Sequence, residues 1–369
     1  MGTPCPDNFY ILICHFAFWY LHFELFIMNL IDINKRITAG GFIPPVLRQN
    51  VVTGDWVVIA PGRARRPDDF IRPEPKLAKK RGECPFCIGT KGNKMQKKLR
   101  SDSDNLYVIE NLFPAFYDHT ATARSYYPEE GFYRERQSVG DHEVVVIKDH
   151  KQKLTAFPKS LTSEMFGAII ERYKMIKKNE QVFSITPIYN HGPEAGASIE
   201  HPHAQIFASG IIANTVNREL DGAERYFGIN GVCVYCDIIK HEKKEKSRII
   251  YENDQFLAFA PFASRYPFEA WIIPKRHQSQ FEESSKNEIE EFSDATMEVL
   301  YKLEEILPGL SLNLFIRTLP TTLEDSEFYH WYLEIAPRVT LFGGFELGSG
   351  VIINIIPPEK AAEFLRRRK

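Results

Sequence analysis

The chain has 369 residues, of which 44% are hydrophobic and 25% are charged, and its formal net charge is −2. This length predicts two domains of about 150 residues each. A nearly neutral chain has no general attraction to polyanions, so nucleic acid is not an expected partner. Lysine-rich runs at 76–81, 91–100 and 240–248 are predicted to be solvated loops.

The first 27 residues form a hydrophobic extension that differs from the rest of the chain. Positions 9–30 are largely apolar and aromatic, which is long enough to span a bilayer. Glu24 would be costly in hydrocarbon, and the segment has neither a basic start nor a small-residue cleavage site. We therefore expect translation to start at Met28 and residues 1–27 to be foreign to the native protein. No membrane association is expected unless this extension is real.

Four of the six cysteines form two Cys-x-x-Cys pairs, Cys84 with Cys87 and Cys233 with Cys236. The chain lacks the cysteine density of a secreted scaffold, which predicts a reducing, cytoplasmic location and metal binding rather than disulfides. A redox role is the alternative, and it would require each pair to open a helix after a strand.

The same order of motifs occurs twice along the chain. A Cys-x-x-Cys pair precedes a short β-branched or aromatic strand, at 144–147 and again at 271–273, and each strand leads to a histidine, His150 or His277. Helices are predicted at 163–178 and 286–307 from apolar residues at three-and-four spacing. A last histidine, His201 or His330, then follows at a nearly equal separation.

This duplication predicts an α+β fold of two related halves, each an antiparallel sheet with packed helices. We expect the halves at 28–215 and 216–369. Zinc favours four thiolate and imidazole ligands in a tetrahedron, so each half is predicted to hold one Zn²⁺. The predicted ligands are Cys84, Cys87, His150 and His201 in the first half, and Cys233, Cys236, His277 and His330 in the second. Four protein ligands leave no open position for water, which favours a structural role.

The sequence His-Pro-His-Ala-Gln at 201–205 carries the predicted chemistry. In an extended segment His201, His203 and Gln205 share one face, where an imidazole could attack phosphorus while the amide bonds its oxygens. The plainer alternative is a polar edge strand. In the second half Tyr332 and Glu334 stand at the matching positions. Only His203 is therefore both unique to the first half and free to act as a nucleophile.

These motifs resemble the histidine-triad superfamily, and within it the duplicated branch of galactose-1-phosphate uridylyltransferase and ADP-glucose phosphorylase. The resemblance covers roughly residues 40–365. It rests on 190–205, on the two cysteine pairs, and on Thr-Gly-Asp-Trp at 53–56, which leads into the arginine-rich segment 63–67. It implies that His203 is a covalent nucleophile and that Gln205 holds the α-phosphate.

The resemblance also implies substrate contacts for further residues and a homodimer. The implied phosphate-binding and positioning residues are Arg63, Arg66, Asn190, Gly196 and Ser198. A base-binding wall would consist of Phe86, Asn111 and Phe113, and Glu346 in the segment 342–350 would bind sugar hydroxyls. In the family this segment often reaches the neighbouring subunit.

The expected function is ping-pong nucleotidyl transfer from a nucleotide sugar through His203. The leading expectation is uridylyl transfer between UDP-glucose and galactose 1-phosphate. ADP-glucose phosphorylase is the alternative, because the run at 345–350 resembles that type more closely. A histidine-triad hydrolase and a zinc-stabilised nucleotide-binding protein without turnover are the other possibilities. The sequence leaves open the base, the acceptor and the occupancy of the second metal site.

Overall fold

A computed structural model describes residues 43–65, 84–91, 99, 103–117, 132–133, 135 and 137–367. Residues 1–27 and Arg66, about which the sequence analysis makes predictions, lie outside the described residues. Within the described part, no helix combines the length and the apolarity needed to cross a bilayer.

Twelve strands are present in the described residues. In chain order they are β1 (Val46–Gln49), β2 (Trp56–Ile59), β3 (Leu106–Glu110), β4 (Gly140–Ile147), β5 (Ser184–His191), β6 (His203–Ser209), β7 (Ile249–Glu252), β8 (Phe256–Phe259), β9 (Ala270–Pro274), β10 (Leu312–Arg317), β11 (Tyr332–Pro337) and β12 (Ile352–Asn354). The helices are α1 (Lys159–Ile176), α2 (Asn214–Asn230), α3 (Val234–Glu245), α4 (Lys286–Ile306), α5 (Gly344–Ser349) and α6 (Pro358–Arg366). The mixed content and the antiparallel pairing confirm the predicted α+β class.

The two halves share one nine-stranded sheet, in the order β3-β4-β6-β5-β10-β11-β9-β8-β7. The antiparallel pair β5 and β10 joins them, with Asn190 directly opposite Asn313. A sheet for each half was the expectation, and main-chain hydrogen bonds fuse the two into a single layer. A second sheet of three strands, β1-β2-β12, pairs β12 parallel to β2 and so brings the last strand beside the first two.

The large sheet has one face against helices and one face toward the predicted site. Side chains alternate along β4, so Val145 and Ile147 join the main core with α1 and α4, whereas Val144 and Val146 pack with Phe86 and the first cysteine pair. Among these residues of β4, the odd-numbered ones therefore pack in the main core, and the even-numbered ones face the predicted site.

The two predicted helices exist with slightly different bounds. Helix α4 matches its prediction closely and starts at a capping box, in which Ser285 and Glu288 satisfy each other's backbone N–H groups. Helix α1 begins at Lys159, earlier than predicted, because Pro158 supplies a fixed φ at the start of the helix. The rings of Phe166 and Phe292 meet at 4.5 Å and join the two helices across the halves.

Candidate active site

His203 opens β6, an inner strand held by β4 on one side and β5 on the other. Its Nδ1 lies 2.7 Å from the backbone oxygen of His201. A carbonyl oxygen only accepts, so Nδ1 carries the proton and donates, which leaves the lone pair on Nε2. Burial lowers the pKa of His203 and outweighs the opposite effect of this carbonyl, so the neutral imidazole is favoured. A neutral ring with a free Nε2 is a competent nucleophile.

Phe86 forms the wall next to this imidazole. Its ring centroid lies 5.0 Å from that of His203 and 5.8 Å from that of His201. Phe86 sits between the two cysteines of the first pair and is itself buried, with Tyr107 donating a hydrogen bond to its carbonyl. The imidazole of His203 is therefore packed directly against the loop of the first cysteine pair.

Gln205 follows on the same face of β6, as period-two alternation requires. Its Oε1 lies 2.9 Å from Nε2 of His142, a residue of β4 that the sequence analysis did not single out. Asn111, predicted for the base, lies at the end of β3 with its Nδ2 3.0 Å from the same His142 nitrogen. The predicted amides thus converge on a histidine.

A glycine-containing turn follows β5 at 192–196. Gly192 has φ +82°, and a Cβ there would lie 2.1 Å from Oγ of Ser311 and 3.0 Å from its Cα. Gly196 has φ +80° and open space around it. Asn313 donates to Oδ1 of Asn190 at 2.8 Å and to the carbonyl of Ala195 at 2.8 Å. Residues of the second half thereby support the turn that carries the predicted phosphate contacts.

The first predicted metal set comes together in the structure. Sγ of Cys87 lies 3.2 Å from Nδ1 of His150 and 3.5 Å from Nδ1 of His201, and the two Nδ1 atoms are 3.0 Å apart. Tetrahedral zinc, with bonds of about 2.0 Å to nitrogen and about 2.3 Å to sulfur, requires donor separations of about 3.5 Å. Cys84 completes this set, and its four donor atoms lie within 4.8 Å of one another.

The second set assembles in the same way from Cys233, Cys236, His277 and His330. Nε2 of His277 lies 2.9 Å from the carbonyl of Ser326, and Nε2 of His330 lies 2.9 Å from that of Pro274. In the first set Nε2 of His201 lies 2.5 Å from the carbonyl of Ile147. Each carbonyl fixes the proton on Nε2 and leaves Nδ1 unprotonated toward the cluster, as a metal ligand must be. Both donor sets therefore fit a bound metal.

The second half replaces the active-site residues with an ion-pair network. Strand register places Ile188 opposite Gln205 and Phe315 opposite Glu334, so Arg317 stands where Asn190 stands. Glu334 bonds Arg265 at 2.5 Å and Arg317 at 3.0 Å. Burial raises the pKa of Glu334, but the two arginines outweigh this effect and hold it below the usual value.

A cleft opens beside Tyr332 and is lined by residues including Asp55, Arg218, Glu219 and Arg265. Glu219 accepts hydrogen bonds from Tyr329 at 3.1 Å and Tyr332 at 3.4 Å. The phenol of Tyr332, where the first half has its free imidazole, is therefore tied to a carboxylate. This half lacks an equivalent nucleophile among its described residues.

Other predicted site residues lie outside this cluster of contacts. Arg63 follows β2, and its backbone N–H donates to the carbonyl of Ala60. Ser198 is exposed, and Phe113 is 82% exposed. Oε2 of Glu346 accepts from the backbone N–H of Gly343 at 2.9 Å and so caps its own helix. The described contacts of these four residues do not include His203.

Two domain families, which belong to one enzyme, match the chain. The galactose-1-phosphate uridyl transferase N-terminal domain covers residues 43–213, and the C-terminal domain of the same enzyme covers 219–322. ADP-glucose phosphorylase from Arabidopsis thaliana is 35% identical over 330 residues, spanning 87% of this chain and 92% of the relative. Galactose-1-phosphate uridylyltransferase from Thermotoga maritima is 28% identical over 329 residues, spanning 87% and 97%.

A solved structure agrees with these matches. The crystal structure of an ADP-glucose phosphorylase from Arabidopsis thaliana with bound ADP-glucose superimposes with a TM-score of 0.76 at 32% identity, covering 89% of this chain and 99% of that one. The relatives from both groups are nucleotidyltransferases. Given the duplicated motifs and these matches, the chain belongs to the galactose-1-phosphate uridyl transferase family of nucleotidyltransferases.

Proposed function

We propose that this protein transfers a nucleotidyl group from a nucleotide sugar through a covalent bond to His203. Nε2 attacks the α-phosphorus, the bond from that phosphorus to the bridging oxygen breaks, and hexose 1-phosphate leaves with the bonding electrons. An acceptor phosphate then attacks the same phosphorus and releases the imidazole. The observation that carries this proposal is the 2.7 Å contact between Nδ1 of His203 and the carbonyl of His201, which leaves Nε2 free.

We assign the stabilisation of negative charge on the phosphoryl oxygens first to neutral hydrogen-bond donors near His203. The amide of Gln205 lies on the same face of β6. The turn at 192–198 combines two glycines of positive φ with small side chains, which lets backbone N–H groups approach a phosphate. Asn190, Ser198, Arg63 and Arg66 are proposed to hold the remaining phosphate oxygens, and Phe86, Asn111 and Phe113 to contact the base.

We assign Zn²⁺ to both Cys₂His₂ sets, in a structural role. Four protein donors complete a tetrahedral shell, so the metal would tie β4 and the segment before β6 to the loop of the first cysteine pair. The nucleophile is held by the backbone of a ligand residue, and the chain's own donors bind the phosphate.

Two donor and acceptor pairs fit this mechanism. Uridylyl exchange between UDP-glucose and galactose 1-phosphate is the reaction expected from the motifs. Adenylyl transfer from ADP-glucose to phosphate is the second candidate. The 35% identity to an ADP-glucose phosphorylase, against 28% to a uridylyltransferase, favours this candidate.

The test is a panel of UDP-glucose and ADP-glucose, each with galactose 1-phosphate or inorganic phosphate. Nucleotide labelled at the α-phosphate should remain on the protein when no acceptor is present. Labelling should vanish in His203→Ala and persist in the matched control His241→Ala, whose side chain is exposed on α3. If His203→Ala is still labelled, His203 is not the residue that forms the covalent bond to the nucleotide.

Isotope exchange between hexose 1-phosphate and the nucleotide sugar distinguishes nucleotidyl transfer from hydrolysis. Labelled hexose 1-phosphate should enter the nucleotide sugar without net turnover, because the first step is reversible. A histidine-triad hydrolase that passes the nucleotide to water alone would give free nucleotide and little exchange.

We also propose a cytoplasmic homodimer, in which the segment 342–350 reaches the neighbouring subunit with Glu346 toward the sugar. Leu341, Phe345 and Leu347 are 63%, 55% and 75% exposed, which supports an interface at this segment. Light scattering of the purified protein should give twice the chain mass, and Leu347→Asp should shift it toward the monomer. A monomeric wild-type protein would contradict the proposal.

A further inference from the structure

His142 has a set of contacts that fixes which of its nitrogens carries the proton. It lies on β4 and is 7% exposed. The backbone N–H of Ala115 donates to its Nδ1 at 3.2 Å. A nitrogen that accepts has no proton, so the neutral ring carries its proton on Nε2. Burial, the largest effect, lowers the pKa of His142 although Gln205 opposes it, which favours this neutral form.

That proton determines the orientation of Gln205. Nε2 of His142 lies 2.9 Å from Oε1 of Gln205, and a protonated Nε2 donates to this oxygen. The amino group of Gln205 then points away from His142, and both its N–H bonds are available elsewhere. With the amide reversed, an amino group would face an N–H donor and an oxygen would face the incoming phosphate.

Asn111 lies against the same nitrogen of His142. Its Oδ1 accepts from the backbone N–H of Phe113 at 2.9 Å, so its Nδ2 is the atom that lies 3.0 Å from Nε2 of His142. Two donors cannot bond each other, and Nε2 already donates to Gln205. With Nε2 protonated, the contact between Asn111 and Nε2 is therefore not a hydrogen bond, and the backbone N–H of Ala115 is the group that decides where the proton of His142 lies.

The ring of His142 is held in place by its strand and by stacking. The strand register sets His142 opposite Phe207 and Val144 opposite Gln205 on neighbouring strands. The rings of His142 and Phe207 are stacked at 3.9 Å with an interplanar angle of 30°. Rotation of the imidazole away from Gln205 would break this stack and the bond from Ala115 together.

The second half shows what the same position does without a nucleophile. Val144 lies opposite Gln205 and Trp271 lies opposite Glu334, so Glu269 stands where His142 stands. Glu269 accepts from Nε1 of Trp271 at 3.0 Å and from the backbone N–H of Tyr266 at 3.1 Å. It has no amide to orient, since Glu334 replaces Gln205.

We propose that His142 is a positioning residue, which fixes the amide of Gln205 so that its amino group donates to the phosphoryl oxygens during transfer to His203. This inference rests on the proposed function. His142 does not touch the reacting atoms in this assignment, and it acts through Gln205.

The test is a double-mutant cycle between positions 142 and 205. His142→Phe keeps a ring to stack on Phe207 but loses both hydrogen bonds, and His142→Gln can still accept from Ala115 and donate to Gln205. We expect His142→Phe to lower the single-turnover rate of nucleotidyl-enzyme formation by about 10- to 100-fold, below the 10²–10³ typical of a direct donor. The KM for the nucleotide sugar should change by less than about threefold, and His142→Gln should recover most of the rate.

In a Gln205→Ala background, His142→Phe should have almost no further effect, because the group it orients is gone. Additive losses would overturn the proposal, as would an unchanged rate in His142→Phe. The wild type is measured first: if it forms no nucleotidyl-enzyme from either nucleotide sugar, the proposed function fails. If it does form one, the variants decide the role of His142.

Nitrogen-15 NMR of the wild-type histidine rings gives a second measurement, which reads the protonation of His142 directly. The His142 signals, assigned by their loss in His142→Gln, should show a protonated Nε2 and an unprotonated Nδ1. A proton on Nδ1 would contradict the proposed orientation of Gln205.

Discussion

His201 serves His203 and the first metal set at once. Its carbonyl accepts a hydrogen bond from Nδ1 of His203 at 2.7 Å, and its Nδ1 lies 3.0 Å from that of His150. The ring is anchored on its far side by the carbonyl of Ile147. The position of His203, the proposed nucleophile, is thus linked through one residue to the proposed metal ligands.

Loss of the first metal should therefore reduce catalysis more than loss of the second. His150→Ala removes one donor from the first set, and His277→Ala removes one from the second. We expect His150→Ala to lower turnover by about 10- to 100-fold, because His201 is no longer held. His277→Ala should lower the Tm with a smaller change in turnover. Atomic emission measures the metal content of both variants, and turnover is measured in parallel. Equal loss of activity in both variants would contradict this prediction.

Gly192 and Gly196 offer a matched pair at the turn after β5. Both have positive φ, so alanine strains the backbone at either position by about 1 kcal/mol. Only at Gly192 would the new Cβ also collide with Ser311. Gly192→Ala should therefore destabilise the protein more and raise the KM for the nucleotide sugar. Urea unfolding and steady-state kinetics measure both effects. Similar values for the two variants would argue against a close approach of Ser311.

Asn313 should affect substrate binding although it lies in the second half. Its side chain is 4% exposed, and its amino group donates to Asn190 and to the carbonyl of Ala195. Asn313→Ala leaves these two acceptors without their donor, at a cost of about 1–3 kcal/mol. We expect a rise in KM and a lower free energy of unfolding. Asn217→Ala, which removes only an exposed contact to Ile212, is the control. An unchanged KM in Asn313→Ala would contradict this support.

The ion-pair network of the second half should be needed for stability. Glu334 is 1% exposed and bonds both Arg265 and Arg317. Glu334→Gln leaves the two half-buried guanidinium groups of Arg265 and Arg317 poorly compensated, and we expect a loss of about 3 kcal/mol in the free energy of unfolding. Glu363→Gln, at a more exposed pair with Lys360, should cost less than about 1 kcal/mol. Urea denaturation of both variants compares them. Equal small losses would show that the network contributes little.

The two clusters of cysteines and histidines were predictable because their signals are local and repeated. Cys84 with Cys87 and Cys233 with Cys236 are adjacent in sequence, and the duplicated order of histidines extended each pair to a set of four. His203 stood out because Tyr332 occupies its place in the second half. The helices α1 and α4 followed from apolar spacing, with errors only at their ends.

The fusion of the sheets was not predictable, because strand pairing between β5 and β10 depends on long-range register that no local pattern encodes. His142 was missed for a different reason. It precedes the apolar run at 144–147, and period-two alternation already placed it on the face of Val144 and Val146. The missing information was that Gln205, on the neighbouring strand β6, lies on the same face of the sheet. The positions of Asn313 and Arg317 were not predicted either, because they depend on the register of β10 with its neighbouring strands.

Because β5 and β10 pair through main-chain hydrogen bonds, neither half can be separated from the other without exposing the edge of a strand. A gene split between the two coding halves would give each product a bare strand margin, with unbonded N–H and C=O groups ready to aggregate. The second half has Arg317 and Glu334 at the positions of Asn190 and Gln205, yet its strand β10 is still needed to pair with β5. Selection for solubility alone would retain it.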